Sequence, residues 1–419
     1  MKILFLSLIV GAGVTITVPF VLRLAQKFGA LDQPGDRKIH KAAIPRLGGL
    51  AIFFGVMLGI ILLNVLFPHD LSGRLIHILL LGVPVAFLIG FWDDLYALGS
   101  KRKFGAQVIV GLIVYYLGFR IELIFLGTGH TLSLGVFSLP FTMLWIAGLM
   151  NAINLIDGMD GLAAGVSAVA FTAIAFLAYL FDNNLVASVS LICASACIGF
   201  LIFNFHPAKI FMGDCGSMLL GFLLSILSMS IYPEKVGGLP IYVPLLILAF
   251  PILDTFVAIV RRIIQATDFQ KLNFTREHLL SSVFKRILSA DGDHIHHRLL
   301  SRGLSQRQAA MVLYGFSSLS AAVAFVMLVL PVPFNWICGL VTILGARQIV
   351  LSLDYLEFMP RPMRWKHQVL EWEGIVNRKP ALARRVSGVS QERFPRTISI
   401  EDSTQSPKQA KAIHYLGRL

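Results

Sequence analysis

GFWDDLYALGSKRKFGAQ (Gly90–Gln107) closes one apolar run and opens the next. Two adjacent carboxylates, Asp93 and Asp94, stand where the first run ends; Lys101, Arg102 and Lys103 stand where the second begins. The stretch reads as the water-side turn between two membrane-spanning helices. A helix needs about 20 apolar residues to cross a bilayer, and runs of that size recur along most of the chain. Of the 419 residues, 56% are hydrophobic and 14% charged, with a mean hydropathy of +0.76. A soluble domain carries about 25% charged residues. The fold class is therefore all-α, a polytopic membrane protein.

Hydropathy places eleven spans, with cores at 3–22, 47–67, 75–92, 105–119, 139–156, 162–181, 185–204, 211–232, 240–260, 308–330 and 333–353. The first is read as a span because it is too long for the apolar part of a signal peptide and lacks a small-residue cleavage site. Loops after even-numbered spans hold almost no Lys or Arg beyond Arg74, Arg120 and Lys235. Loops after odd-numbered spans hold Lys27, Arg37, Lys38, Lys41, Arg46, the 101–103 triplet, Lys209, Arg261 and Arg262. This bias puts the odd loops and the C-terminus in the cytoplasm and the N-terminus outside. It also accounts for most of the +13 formal charge without nucleic acid. The four cysteines (Cys193, Cys197, Cys215, Cys338) lie in or beside apolar runs and read as small apolar residues, not as a disulfide framework or zinc site.

Every unusual polar cluster falls on the cytoplasmic side: DQPGDRKIH with PRLGG, FWDD with KRK, NAINLIDGMDGL, NFHPAKIFMGDCGS and DGDHIHHR. They read as walls of one interfacial site. Carboxylates at a helix C-terminus oppose the helix dipole, so Asp93 and Asp94 point to a divalent cation or a shared proton, with helix-end solvation as the plainer reading. Asn154, Asp157 and Asp160 recur every three residues and share a face on a helical turn; an N-cap role would explain Asp160 alone. Gly213 and Gly216 flank Asp214, and Phe211 offers a flat face on which a nucleobase can stack. His294, His296, His297 and Arg298 suit phosphate or sugar hydroxyls better than zinc, because no cysteine partners accompany them. Asp254, in an apolar run, is a supporting or pairing acid or a direct contact. Acids, cations, glycine turns and an aromatic ring at a membrane surface suggest a magnesium–diphosphate substrate in the cytosol meeting a long-chain lipid.

These six ordered motifs resemble the polyprenyl-phosphate N-acetylhexosamine-1-phosphate transferases over roughly 1–353. They are RKIH with PRLGG, DDLYALGSKRKFGAQ, NAINLIDGMDGLAAG, FNFHPAKIFMGDCGSMLLG, PILDT followed by RR, and DHIHHRL. The HIHHR form is similar to the WecA-type branch more than to MraY. The resemblance implies transfer of N-acetylglucosamine-1-phosphate from UDP-GlcNAc to undecaprenyl phosphate, releasing UMP. That would be the first lipid-linked step of a cell-envelope polysaccharide such as O-antigen. It implies Mg2+, or Mn2+ in its place, on Asp214 and Asn154, with Asp93, Asp94 and Asp157 as catalytic carboxylates. Asp160 and Phe211 would meet the nucleotide. Lys103, Arg37, Lys38, His294, His296, His297 and Arg298 would meet phosphate and sugar. A bacterial inner-membrane location and a homodimer follow from the resemblance alone. Phospho-MurNAc-pentapeptide transfer is the alternative within the class. A transporter for an anionic lipid or nucleotide is the alternative outside it, disfavoured because no repeat is visible and the acids gather at one face. The transferase domain is expected over 1–357, with a lengthened cytoplasmic loop at 263–290 and a polar, basic, disordered tail over 358–419.

Overall fold

The computed structural model describes residues 2–33, 43–67, 73–126, 130–231, 240–266, 294–330, 338–342, 344–345 and 347–348. Its helices are α1 (Lys2–Lys27), α2 (Gly49–Leu66), α3 (Arg74–Tyr96), α4 (Ser100–Tyr116), α5 (Ser138–Ile156), α6 (Leu162–Leu180), α7 (Asn184–Asn204), α8 (Gly213–Met229), α9 (Tyr242–Ile247), α10 (Ala249–Ala266), α11 (Ile295–Ser301) and α12 (Gln306–Val329). Two short antiparallel ladders interrupt them: β1 (Leu31–Asp32) with β2 (Ile44–Pro45), and β3 (Leu123–Phe125) with β4 (Thr131–Ser133). Arg37, Lys38, the 267–293 part of the long loop, and the tail lie outside the described residues, as does most of the eleventh expected span.

Helices stand at each of the first eight expected spans, displaced by a few residues at most. Among the described residues seven helices are long and apolar enough to cross a membrane: α1, α2, α3, α5 with its lead-in from Gly135, α6, α7 and α12. Leu4, Phe5, Leu8, Phe54, Leu58 and Phe176 lie exposed on their outer faces, as lipid-facing side chains do. The ninth expected span differs. It is broken at Leu248 into α9 and α10, because Pro251 has no N–H to give the Ile247 carbonyl.

The centre of the bundle is α8. Every residue from Cys215 to Ser228 is buried, the mark of a helix enclosed on all sides, and α2, α3, α5 and α6 pack around it. Glycines let these backbones close up, as small residues do between membrane helices. A Cβ on Gly49 of α2 would stand 2.3 Å from the Gly216 nitrogen, and one on Gly90 of α3 would stand 2.3 Å from the Asp214 carbonyl. Gly90 thus brings the α3 and α8 backbones together just before the acidic pair, which sets Asp94 against the first turn of α8.

Candidate active site

The two neighbouring aspartates of α3 have separate partners. The Asp93 carboxylate accepts the Leu98 N–H at 2.7 Å, closing the turn after α3, and its other oxygen meets the Lys103 ammonium at 2.8 Å. Lys103 lies in the first turn of α4, where the helix dipole disfavours a cation. Asp93 and Asp214, the latter also at 2.8 Å, offset that cost. Asp94 turns toward α8. Its two oxygens accept the Asp214 and Cys215 N–H groups, each at 2.9 Å. It thus caps, from another helix, amides that have no partner within α8. Gly213 allows this, having φ +76°; a Cβ there would lie 2.7 Å from an Asp94 oxygen. The dipole conflict expected at the end of α3 is resolved by the positive end of α8.

Asp214 is also gripped from α5. The Asn154 amide donates to its free oxygen and to the Ser217 hydroxyl, the latter at 2.8 Å. Asp157, the residue that ends α5, makes no hydrogen bond through its carboxylate among the described residues. Burial raises its pKa well above the ordinary 3.8, and the charges on Asp214 and Asp94 raise it further. Asp160 accepts a hydrogen bond from the His206 ring at 2.7 Å and one from the Ala208 N–H at 3.0 Å, both on one oxygen. Buried Asn204 fixes the same corner, accepting the Gly161 N–H and donating to the Ile210 carbonyl.

A cavity of about 340 Å³ opens among these groups. Asp94, Asn154, Asp157, Asp160, Phe211, Asp214 and His297 line it; Asp93 and Lys103 stand behind through Asp214. Of the three histidines only His297 is on the wall, because successive residues of a helical turn point in different directions. His294 and His296 are buried behind it. Burial, aided by repulsion from His297, pushes the His296 pKa down to about 3, so that ring is neutral. Arg298 is described but does not line the cavity. Asp32 of β1 and Arg46, just after β2, form an ion pair and also line the wall, together with Gly158, Met159, Asn204, Gly213 and Gln306. Sequence reasoning placed Asp32 and Arg46 in polar clusters but had no signal that a two-residue ladder would pair them.

The donor set suits a hard divalent cation. Asp93 and Asp214 hold one ammonium between them, Asp94 caps α8, and Asp157 has no hydrogen-bond donor among the described residues. Among the described residues no group of three or more His, Cys, Asp or Glu side chains is placed to hold a metal ion by itself. Magnesium commonly takes one or two carboxylates and completes its shell with water and phosphate oxygens.

The raised pKa of Asp157 gives a pH-dependent expectation. A carboxyl that holds its proton more tightly when folded loses folding stability as the pH rises past its unfolded value, because the folded chain then binds more protons than the unfolded one. Asp157→Asn removes this term. In chelator-treated protein the variant should melt roughly 2–4 °C above wild type at pH 8, with a smaller gap at pH 5. An equal or lower midpoint at pH 8 would refute the assignment.

Residues 76–232 match the family model described as glycosyl transferase family 4. The matched stretch holds all the cavity acids except Asp32, and stops short of the histidine segment. The chain is 40% identical over 303 residues to the probable undecaprenyl-phosphate N-acetylglucosaminyl 1-phosphate transferase of Bacillus subtilis, covering 72% of this chain and 78% of that one. It is 33% identical over 321 residues to the decaprenyl-phosphate N-acetylglucosaminephosphotransferase of Mycolicibacterium smegmatis, covering 70% and 73%. To the phospho-N-acetylmuramoyl-pentapeptide-transferase of Staphylococcus carnosus it is 35% identical over 239 residues, covering 53% and 73%.

Proposed function

Since this chain belongs to the polyprenyl-phosphate N-acetylhexosamine-1-phosphate transferases of glycosyl transferase family 4, we propose that it moves N-acetylglucosamine-1-phosphate from UDP-GlcNAc to undecaprenyl phosphate, with UMP as the other product. The observation that carries this reading is the cavity that brings together Asp94, Asn154, Asp157, Asp160, Phe211, Asp214 and His297. The choice of donor is supported by similarity to N-acetylglucosamine-type relatives across 72% and 70% of the chain, against 53% for the pentapeptide type. An oxygen of the lipid phosphate forms a bond to the sugar-bearing phosphorus. The bond from that phosphorus to the bridging oxygen breaks, and UMP leaves with that oxygen and the electron pair.

Asp157 and Asp214, with Asn154, would hold Mg2+. When bound, the ion neutralises charge on the diphosphate oxygens as the bridge breaks. Phe211 supplies a flat face for uracil, and the second Asp160 oxygen is available to the nucleotide. Lys103, held between Asp93 and Asp214, keeps a positive charge close to the reacting phosphates. Asp94 keeps the first turn of α8 in place. A lipid phosphate is already largely ionised at neutral pH, with its second pKa about 6, so the acids need orient the nucleophile more than deprotonate it. We read the chain as eleven spans in a bacterial inner membrane, N-terminus outside and C-terminus inside. This is supported by the basic residues beside the site, and it faces the cavity to cytosolic UDP-sugar.

UMP release by purified protein in detergent, with undecaprenyl phosphate, Mg2+ and a panel of UDP-sugars, tests the reading. Magnesium-dependent UMP from UDP-GlcNAc is expected. Release from UDP-MurNAc-pentapeptide alone would move the protein to the other branch. No release from any donor by folded protein would reject the enzyme reading.

A further inference from the structure

Asp254 lies in α10, fully buried, far in sequence from every cavity acid. Its two oxygens are both occupied by the histidine segment: one accepts from the His294 Nδ1 at 2.7 Å, the other from the Ile295 N–H at 2.8 Å. A carboxylate only accepts, so His294 must carry its proton on Nδ1, which fixes both tautomer and ring orientation. The His294 ring lies parallel to that of His296, with centroids 5.8 Å apart, and His296 in turn lies 4.3 Å from His297. His296 is fully buried, and among the described residues neither of its ring nitrogens has a hydrogen-bond partner. It fits against Gly158 only because that residue has no side chain, since a Cβ there would stand 2.9 Å from the His296 Nε2. Gly158 belongs to the loop that carries Asp157 and Asp160. A chain of contacts therefore leads from Asp254 through the three neighbouring rings to the cavity, and only the last ring, His297, reaches the wall.

We propose that Asp254 is a positioning residue: by gripping His294 and the Ile295 amide it sets how closely the His296–His297 face presses the Asp157–Asp160 loop and where His297 stands. His294 and His296 then act through packing, and the substrate meets His297. This deepens the transferase reading and rests on it for the kinetic part of its test.

Asp254→Asn keeps the volume and one acceptor but opposes an amide N–H to one of the two donors, the His294 Nδ1 proton or the Ile295 N–H. In full-length protein it is expected to lower kcat/KM for UDP-GlcNAc about tenfold. In a His297→Ala background the same change should cost less than about twofold, because residues acting through one another are not additive. A purely structural role would lower both backgrounds alike. An equal loss in both, or none in wild type, would overturn the proposal. His294→Asn, which keeps a donor toward Asp254, should recover most of the activity that His294→Leu loses; equal losses would count against the proposal. Hydrogen exchange supplies a readout independent of turnover. Asp254→Ala should speed exchange across 294–301 and leave 306–329 unchanged, and unchanged exchange at 294–301 would reject the grip itself. Should wild type release no UMP, the transferase reading fails while the exchange measurement still decides on Asp254.

Discussion

Asp214→Asn should abolish UMP release, lowering the rate on the order of 10³-fold or more, while the protein still purifies folded. The size follows from what the carboxylate does. It faces Lys103 on one oxygen and Asn154 on the other, so it sets the charge at the point where phosphate oxygens would gather. Loss of a single preorganised charge-stabilising group costs about 10²–10³ in rate, and here a proposed metal ligand goes with it. Survival of the fold follows from geometry as well. Asp94 caps the backbone N–H groups of residues 214 and 215, not the Asp214 side chain, and Asn has nearly the same shape. Lys103 keeps Asp93 as a partner. A variant within tenfold of wild type would remove Asp214 from the chemistry. A variant that fails to fold would show that the carboxylate is needed to hold α8 and α4 together.

The second large effect is expected from one methyl group. In Gly90→Ala the new Cβ would meet the Asp214 carbonyl oxygen at 2.3 Å, and the Asp214 carbonyl carbon and the Cys215 Cα at 2.6 Å. All three are backbone atoms, so no side chain can rotate away. The helices must part by roughly 1 Å, at a cost of about 3 kcal/mol in packing. The shift falls where Asp94 caps α8, and misplacing reacting groups by about 1 Å lowers rates roughly 100-fold. Gly105→Ala is the internal control: nothing lies within 4 Å of its Cβ. It should stabilise α4 by about 0.5–1 kcal/mol and leave turnover alone. Comparable losses in both variants would mean that the close approach of α3 and α8 does not matter.

The first eight helices were legible because each carries an apolar run, toward lipid in most and toward neighbouring helices in α8, and hydropathy reads such runs whichever they face. The break at Leu248 was not, because α9 and α10 are jointly as apolar as one span and only Pro251 marks the interruption. The start of α4 at Ser100 was placed late, since basic residues read as loop until one knows that Asp93 and Asp214 hold Lys103 in a helical turn. Site residues stood out as polar groups in an apolar context, which is why Asp157, Asp160 and Asp214 could be singled out from local spacing. Their partners could not. Asp94 bonds to amides far along the chain, Asp254 to a histidine across the long loop, and Asp32 to Arg46 through a ladder of two residues. Such pairings are set by how helices pack, which sequence spacing does not encode.

The cap that Asp94 places on α8 also orders events during synthesis. The amides it accepts lie 120 and 121 residues further along the chain. At about 5–20 residues per second, α3 exists for roughly 6–24 s before those amides have been made. Throughout that interval the amides that Asp94 accepts in the folded protein do not exist, and a carboxylate without them resists leaving water. The end of α3 is thereby held at the membrane surface until α8 arrives, and the acidic wall of the cavity is assembled only when the eighth helix is threaded among α2, α3, α5 and α6, with His297 and Gln306 added later still.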